Sequence, residues 1–271
     1  MIDFNPLVSI LINNYNKEKF CEKAVNSVLN QNYKKIEIIF FDDGSSDSSV
    51  KKINKIKQKN KNKIRITINS NRGKNFSYNQ LNSIKRSLNM CKGKFVCILD
   101  SDDFFQKKKI KKIVKFFEEN RSSDIVLDLP IIYYGSSKKP KLKNDYFYRK
   151  NKWPKFPPTS CLSFRKQSLI NSINKISFKN YPELWFDFRI TTFYALKKKQ
   201  FNLIDENLTF YRQNSNNFEK RYKKFFNKEW WNRRYQAFQF LKKLDYNKFN
   251  KNIFTIDYFI TTFLNKVFII K

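Results

Sequence analysis

With 271 residues, 41% of them hydrophobic and 17% aromatic, the chain has material for one large α/β domain, alone or with a small appendage, and wholesale disorder is excluded. Lys and Arg number 56 against 23 Asp and Glu, a formal net charge of +33 that attracts polyanions such as nucleic acid, anionic lipid or phosphorylated substrates; a general enrichment in Lys and Asn is the competing source of that charge. The absence of histidine excludes a Ser-His-Asp triad, a Cys-His pair and histidine-ligated zinc, and only four glycines argue against a glycine-rich phosphate loop.

In chain order, Leu7 to Ile12 reads as a buried strand of a parallel sheet. Phe20, Ala24, Val25, Val28 and Leu29 then mark one face of a helix. Ile36 to Phe41 is a second strand, ending in Asp42-Asp43-Gly44-Ser45. Ser46 or Asp47 can cap the helix that follows, which turns Val50, Ile53 and Ile56 inward. Ile64 to Ile68 is a third strand, and Phe76 to Cys91 a helix with Gly93 past its end. Phe95 to Leu99 is a fourth strand, running into Asp100-Ser101-Asp102-Asp103, and the next helix buries Ile110, Ile113, Val114 and Phe117. Beyond Asp124 the pattern weakens. Ile125 to Tyr134 is strand-like, residues 135–158 read as a loop, Thr159 to Phe164 as a strand and Leu184 to Ala195 as a helix. Aromatic, basic helices occupy the chain from Phe225 onward.

This β-α-β-α-β-α-β-α order predicts an α/β fold, a mostly parallel sheet with helices on both faces. Ligands of such sheets bind beyond the strands' carboxyl ends, where Asn13 to Asn16, Asp42-Asp43 and Asp100 to Asp103 all fall. Three carboxylates within Asp100 to Asp103 repel one another unless a cation lies between them. A hard divalent ion, Mn²⁺ or Mg²⁺, takes such oxygens and keeps positions for phosphate. The competing reading is an acidic turn capping the next helix. Asp43 can accept the imide N–H of a uracil-type base, or belong only to an Asp-Gly turn. Cys21, Cys91, Cys97 and Cys161 form no C-x-x-C pair and read as reduced apolar residues of a cytosolic protein. No signal peptide and no spanning helix is expected.

Four segments together resemble glycosyltransferase family 2. They are Val8-Ser9-Ile10-Leu11-Ile12-Asn13-Asn14-Tyr15-Asn16, Ser27-Val28-Leu29-Asn30-Gln31, Asp42-Asp43-Gly44-Ser45-Ser46-Asp47 and Leu99-Asp100-Ser101-Asp102-Asp103. The aromatic, basic pattern makes 225–271 a C-terminal helical region, and the resemblance implies a GT-A fold, assigned to residues 1–224. It also implies inverting transfer from a nucleotide-sugar donor, a UDP-sugar favoured, with Mn²⁺ or Mg²⁺ as cofactor. By position Asn13, Tyr15 and Asp43 face the nucleoside, and Asp102 and Asp103 the sugar diphosphate and metal, with Asp100 in support. Asp187 fits the catalytic base, with Glu183 as the fallback, and Arg212 lies near the diphosphate. Asn214 stands where many members carry His, and Tyr78 where many carry Arg.

The acceptor implied is a glycan or lipid-linked hydroxyl in surface polysaccharide or lipopolysaccharide-type synthesis, with the protein cytoplasmic and peripheral to the membrane. Trp230, Trp231 and Tyr235 among basic residues either meet an anionic membrane surface, or pack on the catalytic domain as a lid or form a homodimer interface. The alternative function is a nucleic-acid- or membrane-binding protein on an inactive GT-A scaffold. Lysines spread over every segment, without a recognised motif, argue against nucleic acid. Oligomeric state is left open.

Overall fold

The computed structural model describes residues 5–146, 154–176, 180–213, 227–244 and 256–270. Strands β1 (Val8–Asn14), β2 (Ile36–Asp42), β3 (Ile64–Ile68) and β4 (Phe95–Asp100) run parallel in the order β3-β2-β1-β4. Helices α1 (Cys21–Leu29) and α2 (Ser49–Lys59) make the first two crossovers, and α3 (Phe76–Leu88) returns the chain to β4. Right-handed crossovers that travel in opposite directions from β1 place their helices on opposite faces. Strand alternation agrees. Ile10 and Ile12 pack with Ala24, Val25, Val28 and Ile53 of α1 and α2, whereas Leu11 packs with Leu81, Ile84 and Leu88 of α3. The direction of winding therefore reverses between β1 and β4, which opens a crevice at their carboxyl ends, where Asn13 pairs with Asp100.

The second half extends the sheet differently. After the two-residue β5 (Phe104–Phe105) comes α4 (Lys109–Glu119). Then follow β6 (Ile125–Tyr133), β7 (Lys138–Pro140), β8 (Leu162–Arg165), α5 (Lys166–Ile173), α6 (Phe186–Lys197) and β9 (Leu203–Arg212). β8 is antiparallel to β4 and to β6, and β9 lies parallel to β6 and antiparallel to β5. Two helices end the described chain, α7 (Lys228–Leu244) and α8 (Ile256–Ile270).

Several expected boundaries shift. Thr159–Cys161 is a 3-10 turn, so the strand expected from Thr159 begins at Leu162. The third helix ends at Leu88 rather than Cys91. Residues 138–140 pair with β6 inside the expected loop, part of which (147–153) lies outside the described residues, as does Asn214. β9 escapes a pattern reading because Asp205, Glu206 and Asn207 interrupt its apolar alternation. The cap position of α2 is Ser48, not Ser46 or Asp47, and it makes no side-chain capping bond; Asp47, one residue earlier, braces the turn, its carboxylate accepting the backbone N–H groups of Ser49 and Glu18 at 2.9 Å. Gly93 is required where the chain enters β4, since a Cβ there would come within 2.6 Å of the Ser9 nitrogen.

An ion pair is sealed inside the second half. Lys109 Nζ lies 2.7 Å from Asp128 Oδ2, with both side chains inaccessible to solvent. The ammonium also donates to Ser160 O and Thr209 Oγ1, and Thr209 donates to Asp128. This network ties α4, β6, β9 and the turn beside Asp100 together. Asp128→Asn leaves a buried ammonium uncompensated, and we expect a loss of about 3 kcal/mol in denaturant unfolding. The double change Lys109→Met with Asp128→Leu should cost less than the single one, because neither charge is then stranded. A single-variant loss under about 1 kcal/mol would show that the pair contributes little.

Candidate active site

The crevice at the β1/β4 switch point is lined from several elements. Asn13, Asn14 and Tyr15 come from the end of β1, Asp43 from the end of β2, and Asp100, Ser101 and Asp102 from the end of β4. Gln80 and Ser83 of α3, Asp187 of α6, Arg212 of β9 and Arg233 of α7 complete it. The structure thus brings together Asn13, Tyr15, Asp43, Asp100, Asp102, Asp187 and Arg212. Asp103 and Glu183 are not on this wall.

Adjacent carboxylates separate into different roles. Asp42 is fully buried and pins the turn, accepting from Asn14 Nδ2 at 2.7 Å, Ser45 Oγ at 2.7 Å and Ser45 N at 2.8 Å. Gly44, at φ +76°, lets the chain turn there. Asp43 faces the crevice, where its oxygens accept from Asn69 Nδ2 at 2.8 Å and meet Arg72 Nε at 2.9 Å. The Arg72 guanidinium lies 3.5 Å from the centroid of the Tyr15 ring. Arginine, tyrosine and aspartate therefore build one wall with an aromatic face and a carboxylate edge.

The same separation recurs after β4. Asp103 points inward, accepting from Ser160 Oγ at 2.6 Å and from the backbone N–H of Arg212 at 2.8 Å. Burial, then Asp102 and Asp100, hold its carboxyl well above the usual range. Asp102 opens to the crevice, with Lys17 Nζ 2.6 Å from its Oδ2. Asp100 ends β4 on the crevice wall. Burial pushes it up to about 7, Asp102 and Asp187 add to the rise, and hydrogen bonds from Gln80 and Asn13 oppose it.

Asp187 sits in the first turn of α6, where its carboxylate accepts the N–H of Phe188 at 2.6 Å. The loop before it is held by Arg189, only 2% exposed, whose guanidinium donates to the carbonyls of Leu184 and Tyr181. Burial lowers that guanidinium to about 10. Glu183 belongs to the same loop, and its N–H donates to Gln236 of α7 at 2.9 Å. Arg212 forms part of the wall through its Nε, which donates to Asp102 O at 2.8 Å, while its guanidinium lies over Phe20 and Tyr133.

Lys17, Arg72, Gln80 and Arg233 went unassigned from the sequence. Lys17 follows directly on the Asn13 to Asn16 cluster, and Arg72 lies just past the third strand, so both carried a positional signal. Gln80 and Arg233 carried none, because only tertiary packing brings α3 and α7 to the crevice. Four cations, Lys17, Arg72, Arg212 and Arg233, thus line a crevice whose opposite charges are Asp43, Asp100, Asp102 and Asp187.

The donor set is oxygen only, which suits a hard cation. Among the described residues no group of three or more acidic or thiol side chains forms a complete metal cage. Mg²⁺ and Mn²⁺ sites in general use one or two carboxylates and leave other positions to substrate phosphate oxygens.

Comparison with known proteins gives the family and the fold type. The model of the family described as Glycosyl transferase family 2 matches residues 9–177. An uncharacterised glycosyltransferase of Nostoc sp. is 30% identical over 218 residues, 76% of this chain and 64% of that protein. The UDP-Glc:alpha-D-GlcNAc-diphosphoundecaprenol beta-1,3-glucosyltransferase WfaP of Escherichia coli is 36% identical over 115 residues, 42% of this chain and 43% of that protein. The chain therefore spans less than two thirds of either relative. Among solved structures, S. aureus TarS 1-349 in complex with UDP-GlcNAc superposes with a TM-score of 0.67 at 15% identity, over 95% of this chain and 72% of that one. The likeness in fold is of the GT-A type.

Proposed function

Because the chain belongs to glycosyltransferase family 2, we propose that its crevice transfers a sugar from a nucleoside-diphosphate donor to an acceptor hydroxyl with inversion. One observation carries the reading: Asp43, Asp100, Asp102 and Asp187 converge with four cations on the switch point of the sheet. The base stacks along Tyr15 beside Asp43, with Asn13 at the nucleoside and Arg72 closing the wall. Lys17 and Arg212 meet the diphosphate. A UDP-sugar suits the carboxylate at the base edge, which accepts an imide N–H.

Asp102 and Asp100 would hold Mn²⁺ or Mg²⁺, which neutralises charge on the departing diphosphate. Asp103 braces the loop through Ser160 and Arg212 rather than facing the crevice. Asp187 takes the proton of the acceptor hydroxyl as its oxygen attacks the anomeric carbon. The new carbon–oxygen bond forms opposite the one that breaks to the diphosphate, so a single displacement inverts the centre. A glycan or lipid-linked acceptor, as named for WfaP, and a role in surface polysaccharide synthesis complete the proposal.

Binding by the native state raises apparent stability, so a thermal-shift screen of UDP-, GDP- and CMP-linked sugars with Mn²⁺ tests the donor class. Asp43→Ala adds resolution. It should weaken UDP binding by about tenfold, equivalent to about 1.4 kcal/mol, while inorganic diphosphate binds nearly as before. Equal losses for both ligands would make Asp43 a structural residue.

A further inference from the structure

Helix α8 turns its apolar residues outward. Ile256, Phe259, Ile260, Phe263 and Val267 are 79%, 60%, 45%, 66% and 38% exposed, and these make up five of the nine exposed large hydrophobic residues among those described. Their spacing of i, i+3, i+4, i+7 and i+11 places them in one stripe along the helix. The opposite face buries Thr261 and Asn265. It seats on α7, where the Tyr258 ring meets Phe238 at 5.4 Å and Asp257 pairs with Arg234. A helix that hides hydroxyl and amide groups while exposing Ile256, Ile260, Phe263 and Val267 offers an apolar docking face.

The buried aromatics of α7 are not that surface, while Trp230 and Tyr235 are half-buried. Trp231 is 2% exposed, and Phe238, Phe240 and Leu241 share the core of the catalytic half. Of the sequence readings for these aromatics, Trp231 follows the one in which they pack on the domain.

We propose that the outer face of α8 docks in the headgroup layer of an anionic lipid bilayer, with the helix lying along the surface. Charge selects this occupant. Apart from Arg233, which lines the crevice, and Arg234, which pairs with Asp257, α7 and α8 carry Lys228, Lys242, Lys243 and Lys266 against Glu229. With the chain at +33, a second copy would set like charges against each other, whereas an anionic bilayer offers apolar depth and opposite charge at one place. No helix among the described residues is long and apolar enough to cross a membrane, so contact is by one face. α7 seats α8 and also supplies Arg233 to the crevice, so docking would hold the crevice close to the lipid surface. Docking does not depend on the transfer chemistry, and the two have separate readouts.

Flotation of the full chain with phosphatidylcholine vesicles, with and without phosphatidylglycerol, tests the surface. Binding should require phosphatidylglycerol and weaken with salt. The pair Phe259→Ser and Phe263→Ser should lower vesicle affinity about tenfold or more. Circular dichroism and UDP binding by calorimetry should stay at parental values in that variant. The pair Ile256→Ser and Ile260→Ser carries the same expectation should the first prove insoluble. Failure of the parent to float with anionic vesicles, or equal flotation of parent and folded variants, overturns the proposal. A dimer seen by sedimentation and lost in the variant, without vesicle binding, would assign the face to a second copy instead. Loss of UDP binding in the parent would count against the transfer reading and leave docking to the flotation result.

Discussion

Asp102→Asn should reduce sugar transfer and donor hydrolysis by about 10³-fold or more while leaving the fold intact, since a charge held against the leaving diphosphate supplies several kcal/mol. The substitution keeps the size of the side chain, and the Asp102 side chain is 19% exposed, so packing changes little. Calorimetry with Mn²⁺ and UDP separates the causes. Asn should bind the pair more weakly than Asp, and binding equal to the parent would remove Asp102 from the cation site. The pH dependence has a definite sign. Asp100 in the folded protein holds its proton up to about pH 7. A cation binding beside it must displace that proton below this pH, so apparent Mn²⁺ affinity should fall as pH drops from 7 toward the ordinary carboxylate range. Affinity that is flat between pH 5 and 8 would place the cation away from Asp100.

Asp187→Asn should lower kcat by about 10²–10⁴ with donor affinity nearly unchanged, the span typical of losing a general base. Asparagine keeps a carbonyl oxygen that can accept the N–H of Phe188, so the first turn of α6 survives. The informative comparison is Glu183→Gln. Glu183 is three residues earlier than Phe186, where α6 begins, and its carboxylate is not part of the crevice wall. Near-parental kcat in Glu183→Gln beside a large loss in Asp187→Asn is the expected pair. The reverse pair would move the base to Glu183 and require the loop held by Arg189 to rearrange on acceptor binding.

Much of the catalytic half was legible because its signals are local. The strands β1 to β4 and helices α1 to α4 follow from apolar spacing within windows of about ten residues. A parallel sheet also obliges its strand ends to share one rim, so Asn13, Asp43 and Asp100 could be grouped before any contact was known. The four family segments lie in these same elements. Strand β9 was not legible, since its polar centre satisfies neither period and it forms a strand only because β6 and β5 flank it.

What tertiary structure alone decided is orientation. Consecutive side chains at a strand end point to opposite sides, so Asp42 and Asp43 read alike yet one is locked to Ser45 and the other faces the crevice. Asp102 and Asp103 divide in the same way, through a serine and a backbone N–H contributed by distant segments. The meeting of Lys17 with Asp102, of Arg72 with Tyr15, and of Arg233 with the crevice depends on elements far apart in the chain. The outward stripe of α8 belongs here too. The sequence pattern pointed to a helix there, but which of its faces met α7 depended on the shape and polarity of a surface that exists only after the sheet and α6 have formed.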